Sequence, residues 1–197
     1  MIQITIDSNS YEFEAPVTIL EAAKNAGIWI PTLCFNEKLK IYGGCRICLV
    51  EIPGKPVLSP ACSTEITDGM TVITDSERVR EARKFIAELL LARCPGSPEL
   101  IEIAQKLGVD PEKKEELDIV GKYLLERAAP PFDTNCILCG LCVRVCAEVT
   151  ERHALSFSER GIVRRIKTPF EKVADTCIGC GSCAYVCPTN TITIEEA

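Results

Sequence analysis

Cys136-Ile137-Leu138-Cys139-Gly140-Leu141-Cys142-Val143-Arg144-Val145-Cys146 and Cys177-Ile178-Gly179-Cys180-Gly181-Ser182-Cys183-Ala184-Tyr185-Val186-Cys187 share one spacing, C-x2-C-x2-C-x3-C, and the second run begins 41 residues after the first. Two residues between thiols let a short loop curl around a polynuclear iron–sulfur cube. Three thiolates of one loop then reach three of its corners, and the fourth corner faces away and needs a ligand from elsewhere. A zinc ion prefers paired C-x2-C ligands, four to one tetrahedral ion. A disulfide framework needs an oxidising compartment, whereas the chain opens Met1-Ile2-Gln3-Ile4-Thr5-Ile6-Asp7 with no secretory signal pattern, and its thirteen cysteines are odd in number. The spacing therefore favours 4Fe–4S cubes over zinc or disulfides.

The doubled run resembles the two-cluster bacterial ferredoxins, in which the fourth cysteine of each run serves the other cube. Pro188 follows the second run as in that pattern, while Ala147 stands where the first run lacks the proline. The resemblance implies one cube on Cys136, Cys139, Cys142 and Cys187. It implies a second on Cys146, Cys177, Cys180 and Cys183. Gly140 and Gly181 hold matching places in the two loops, where positive φ lets N–H groups point at cluster sulfur.

Upstream, Cys34, Cys45, Cys48 and Cys62 read C-x10-C-x2-C-x13-C. Plant-type 2Fe–2S ferredoxins use C-x4-C-x2-C with a distant fourth cysteine, so the first gap is long and a zinc site stays open on spacing alone. The flanking chain supports the cluster. Ile2–Ile6 and Tyr11–Glu14 alternate around a turn at Asp7–Ser10, which predicts a hairpin. Thr18 and Glu21 form a capping-box pattern for a helix over Ile19–Ala26, closed by Gly27. Leu49–Ile52 and Met70–Ile73 supply further strands. Hairpin, helix, cysteine loop and strands follow the order of a ferredoxin-like β-grasp, so the fold class expected is α+β.

Between the cysteine groups, Ser76–Ala92 reads as an amphipathic helix with Val79, Ala82, Phe85, Ile86, Leu89 and Leu90 on its apolar face. Arg78, Arg80, Arg83 and Lys84 read as a solvated face. Helices near 98–107 and 112–128 follow, and Pro130-Pro131 marks entry to the next unit. The expected domains are a β-grasp at 1–75, a helical connector at 76–132 and a two-cube domain at 133–197.

That order, with Cys139–Cys146, Ala154-Leu155-Ser156-Phe157 and Arg160-Gly161, resembles three families. They are the amino-terminal part of the large iron–sulfur subunit of respiratory complex I, the small iron–sulfur subunit of soluble NAD-linked nickel–iron hydrogenases, and the amino-terminal region of multi-cluster iron-only hydrogenases. The resemblance implies an electron-transfer subunit with one 2Fe–2S and two 4Fe–4S clusters. It implies a flavoprotein that oxidises NAD(P)H on one side and a hydrogenase or formate dehydrogenase module on the other, with ferredoxin-coupled bifurcation as a branch. One departure is large: these families carry a further cube on one histidine and three cysteines in the connector. Here the connector holds Cys94 alone, read as a buried thiol, and the single histidine is His153, read as a surface residue. A simple linear relay is therefore in question.

A net charge of −6 makes nucleic acid an improbable partner, and no apolar run is long enough to insert in a bilayer. G-x-G-x-x-G, P-loop and G-x-S-x-G motifs are missing, so no catalytic residue and no substrate site are expected. Nor does this length accommodate a hydrogenase catalytic domain. Ligated thiolates suit an anaerobic, reducing cytoplasm. The rival readings are a free ferredoxin-like carrier, which has no need of a helical connector, and a cluster-based sensor, which needs an output domain.

Overall fold

A computed structural model describes residues 1–113, 117, 119–127 and 134–194. Strands β1 (Ile2–Ile6) and β2 (Asn9–Phe13) form an antiparallel hairpin with Ile2 opposite Phe13 and Ile6 opposite Asn9. Asp7 and Ser8 take φ of 47° and 73°, so the turn has two residues and is tighter than the Asp7–Ser10 turn expected. Left-handed residues at both central positions match the twist of the flanking strands. Strand β5 (Thr71–Val72) joins β1 in parallel, giving the order β2-β1-β5. The Asp7 carboxylate accepts from Thr74 N–H at 2.7 Å and from Thr74 Oγ1 at 2.5 Å, which ties the end of β1 to the end of β5. A second pair, β3 (Leu49–Val50) with β4 (Ser59–Pro60), is antiparallel.

Helix α1 (Ile19–Asn25) starts as its sequence predicts. Thr18 Oγ1 accepts from Glu21 N–H at 3.2 Å and Glu21 Oε2 accepts from Thr18 N–H at 2.8 Å. Ile19, Leu20, Ala22 and Ala23 are buried against Ile4, Ile6, Val50 and Val72 in one core. That core also takes in Cys48 and Cys62, so two of the four thiols of the first group are built into it.

Helix α2 (Glu77–Arg93) is capped by Ser76, and α3 (Pro98–Lys106) by Ser97 with Pro98 in its first turn. The expected helix at 112–128 is realised as α4 (Ile119–Arg127), with residues 112 and 113 outside it. The Pro130-Pro131 boundary lies outside the described residues.

The face of α2 departs from expectation. Val79, Arg83, Ala87, Glu88, Leu91 and Ala92 are buried, while Phe85 and Leu89 are 46% and 42% exposed. Ile86 and Leu90 only flank the core. Arg83 is not solvated: its Nε and Nη2 donate to Leu49 O at 3.1 and 2.8 Å. The carbonyl at the start of the two-residue β3 needs a donor, and α2 crosses beside it. Periodicity scores residues by type and does not see that demand.

A second core joins Leu33, Leu39 and Ile47 of the first cysteine loop to Leu91 of α2, Cys94 at its end, Leu100 and Ala104 of α3, and Ile137, Leu141 and Val145 beyond the connector. The last of these belong to helix α5 (Leu141–Glu148) and its approach; a hairpin β6 (Ser156–Ser158) and β7 (Arg165–Lys167) and a short helix α6 (Ser182–Tyr185) follow. No helix among the described residues is long and apolar enough to cross a membrane.

Candidate metal centres

The first group sits where the loop 34–48 meets β3 and β4. Cys34, Cys48 and Cys62 are buried and Cys45 is half-buried. Ala61 N–H donates to Cys48 O at 3.0 Å, so the β3–β4 ladder brings Cys48 and Cys62 together. Cys45 N–H donates to Cys34 Sγ at 3.5 Å. Gly43 and Arg46 both have φ of 62°, and a Cβ on Gly44 would lie 2.3 Å from the Tyr42 ring. Only glycine lets the loop pass the ring there.

The thiols pair electrostatically. Hydrogen bonding from the Cys45 thiol, opposed by burial, lowers Cys34 to about 6, and hydrogen bonding with Cys62 lowers Cys48 to about 7. Cys45 and Cys62 are each pushed up, first by that same bond and then by burial. One thiol of each pair thus ionises more readily, and iron binding at the other would displace its proton to solvent.

The loop of the second group surrounds a cavity of about 640 Å³. Cys136, Cys139, Cys142 and Cys187 all line it, with Cys183, Gly140 and the β7 residues Arg165, Ile166 and Lys167. Four thiols of the expected first set and one of the other, Cys183, therefore share one space. Gly140 and Gly181, at φ of 73° and 71°, stand at the N-cap of α5 and of α6, so the two loops turn alike. Leu138 N–H donates to Cys136 Sγ at 3.4 Å, and Thr191 N–H donates to Cys187 Sγ at 3.3 Å. Such donors stabilise thiolate charge. Burial pushes Cys139 up to about 11 and Cys142 up to about 12.

Around the third group the surroundings change. Cys177 and Cys180 are exposed, and Cys183 and Cys146 are half-buried. Cys146 Sγ accepts from Ala154 N–H at 3.3 Å. Cys183 is raised chiefly by burial and also by the charges of Cys180 and Cys146, which puts those three thiols near one another. Among the described residues, no three His, Cys, Asp or Glu side chains converge on a single point, as one mononuclear ion would require. A cube takes one thiolate per iron and needs no such convergence.

The first two groups adjoin each other. Arg144, on α5 between Cys142 and Cys146, donates from Nη2 to Cys34 O at 2.7 Å and from Nη1 to Lys40 O at 2.5 Å. Its guanidinium lies 5.3 Å from the Tyr42 ring centroid. In return Lys40 N–H donates to Glu148 Oε2 at 2.8 Å. No sequence motif gives Arg144 this role. Its position inside a C-x3-C run, as the one basic residue of α5, is the available signal.

Cys94 is fully buried and its Sγ–H donates to Asn135 O at 2.8 Å, with burial raising the thiol to about 12. His153 is exposed. Neither lines the cavity of the second group.

Comparison with known proteins agrees with this geometry. Residues 1–77 match the model of a 2Fe-2S iron-sulfur cluster binding domain, and residues 135–191 match that of a 4Fe-4S dicluster domain. A 2Fe–2S domain is followed by a 4Fe–4S dicluster domain. The chain is 36% identical over its whole length to the HndD subunit of the NADP-reducing hydrogenase of Solidesulfovibrio fructosivorans, covering 36% of that protein. It is 34% identical over 98% of its length to the mitochondrial NADH-ubiquinone oxidoreductase 78 kDa subunit of Candida albicans, covering 28% of it. It is 35% identical over 98% of its length to the alpha subunit of the NADPH-Fe(3+) oxidoreductase of Geobacter sulfurreducens, covering 24% of that protein. The chain thus spans only about a quarter to a third of the curated relatives it matches. The crystal structure of an NAD+-reducing NiFe hydrogenase in the H2-reduced state aligns with 96% of this chain and 86% of its own, at a TM-score of 0.76 and 29% identity. Along nearly its whole length the chain is thus similar to parts of NAD(P)-linked hydrogenase and NADH oxidoreductase subunits.

Proposed function

We propose that this chain is a relay subunit holding three clusters in the order 2Fe–2S, first cube, second cube. In this reading Cys34, Cys45, Cys48 and Cys62 hold the 2Fe–2S cluster on a β-grasp domain at 1–75. Cys136, Cys139, Cys142 and Cys187 hold one cube, and Cys146, Cys177, Cys180 and Cys183 the other, in a domain at 133–197. The connector at 76–132 lies between them. When bound, the clusters supply one-electron carriers. The protein's own residues hold them in order, exclude water from the inner two and leave the outer one open.

The observation that carries this reading is the Arg144 junction. A connector without its own cluster suggests that electrons must cross a long gap or branch. Instead, a residue between two cube ligands bonds the backbone carbonyl of a 2Fe–2S ligand, Cys34. The junction brings the two loops into contact, which supports exchange between these two sites without a connector cluster. A flavoprotein that oxidises NAD(P)H and a hydrogenase module are the partners, inferred from the relatives named above; a formate dehydrogenase module is the alternative. Ferredoxin-coupled bifurcation would add a branch at the exposed cube. Ligated, solvent-facing thiolates suit a reducing cytoplasm.

The test is iron, sulfide and EPR of the complex isolated without oxygen through a tag on this chain. About ten irons on this chain, with one 2Fe–2S and two 4Fe–4S signals and a co-purifying flavoprotein, are expected. The same iron on a chain that elutes alone in gel filtration indicates a free ferredoxin-like carrier. Zinc in place of iron overturns the assignment.

A further inference from the structure

The connector lacks a ligand set, yet its corner at Arg93–Gly96 bears directly on the first cube's loop. Arg93 closes α2, where a cation suits the helix C-terminus. Its Nε donates to Cys136 O at 2.9 Å, its Nη1 to Ile162 O at 3.3 Å and its Nη2 to Arg164 O at 2.5 Å. One guanidinium thus joins three segments distant in sequence. All three bonds end on carbonyl oxygens, which orient the group without neutralising it. Next to it, Cys94 Sγ–H donates to Asn135 O at 2.8 Å, and a Cβ on Gly96 would come within 3.0 Å of Asn135 Oδ1. Asn135 and Cys136 are therefore held at two successive carbonyls.

Arg164 extends the grip. Its guanidinium carbon lies 4.2 Å from the Phe157 ring centroid, and the Phe157 ring lies 3.0 Å from where a Cβ on Gly140 would stand. Gly140 lines the same cavity as Cys136. The carbonyl that Arg93 holds at Arg164 is thus connected through Phe157 to the other side of the ligand loop.

We propose that Arg93 is a positioning residue of the first cube: it locks the Cys136 end of the loop against the 162–164 segment and places an uncancelled positive charge beside that ligand. The inference rests on the assignment of Cys136 as a ligand made above. A fixed cation beside a cube favours the form that has gained an electron, because charge in a dry site is weakly screened. Arg93 therefore makes the first cube easier to reduce than it would be without that charge, and the effect is set from the connector.

The experiment is an EPR-monitored redox titration of the full chain, produced anaerobically with its clusters, as wild type, Arg93→Gln and Arg93→Lys. The first cube is identified as the signal that Cys139→Ala removes. Arg93→Gln takes away the charge and keeps an amide donor; Arg93→Lys keeps the charge and loses the fork. The expected result is a roughly tenfold loss in the one-electron reduction equilibrium of the first cube in Arg93→Gln, about 59 mV more negative. The other two clusters stay in place, and Arg93→Lys recovers most of the shift. An unmoved first cube in Arg93→Gln, or equal movement of both cubes, overturns the proposal. If Gln loses the first cube and Lys keeps it at the wild-type potential, the charge is confirmed as the operative property. If both variants lose it, Arg93 serves folding alone and the proposal falls. A wild type that binds no cubes would overturn the ligand assignment instead.

Discussion

Two loops with one spacing sit in opposite surroundings. Cys139 and Cys142 are buried, beside a core that runs from α2 to α5, and their neighbours Ile137 and Leu141 belong to it. Cys177 and Cys180 are exposed, as are Ile178 and Gly179 between them. Spacing decides what a loop can bind; the packing behind it decides how wet the bound group is. Since burial and hydrogen bonds set cluster potentials, two sites written in the same letters need not share one potential. The contrast also orders them: the buried loop meets Cys34 through Arg144, and the exposed one faces solvent.

The strongest way to break the comparison is to remove the residue that crosses between the sites. Cys146 lies in the first run yet is assigned to the second cube. Cys146→Ala should cost about four irons and the second-cube EPR signal while sparing the first; loss of the first signal instead refutes the crossing. Next in size is the core behind the dry site. Leu91 is fully buried, and Leu91→Ala should lower unfolding free energy by about 2–5 kcal/mol, read by chemical denaturation of the anaerobic holoprotein. Arg144→Ala removes two charge-assisted bonds across the junction. A loss of about 1.5–3 kcal/mol for each such bond is expected, with slower electron exchange between the 2Fe–2S cluster and the first cube by freeze-quench EPR. Unchanged exchange would mean that the junction does not set the order of the relay. At the small end, Cys94→Ser should leave iron content unchanged, because serine still donates to Asn135 O; a loss of iron measured by atomic absorption would make Cys94 a ligand.

Much of this is legible in the chain. The Thr18–Glu21 capping box and the hairpin follow from local patterns, while the crossed grouping of Cys187 with Cys136, Cys139 and Cys142 rests on the resemblance to two-cluster ferredoxins. What stays hidden depends on partners far along the chain. Arg83 reads as solvated because its helix position is flanked by charges, but it satisfies a carbonyl 34 residues earlier. Phe85 and Leu89 read as core because they are apolar, and they face outward because Val79, Arg83, Ala87 and Leu91 take the inner stripe. Arg93 and Arg144 act through guanidinium bonds to backbone carbonyls, which any residue offers and no side-chain motif records.

The pairing of β1 with both β2 and β5 has a consequence for how the protein is made. During synthesis the hairpin can form early, but the sheet waits until Thr71 and Val72 emerge to pair with Thr5 and Ile6. By then Cys34, Cys45, Cys48 and Cys62 have all left the ribosome. Closing that long loop is the slow, non-local step, whereas Cys48 and Cys62 are joined by the short β3–β4 pairing and Cys34 and Cys45 by their own loop. A nascent chain can therefore assemble the thiols of this group pair by pair before its sheet is complete.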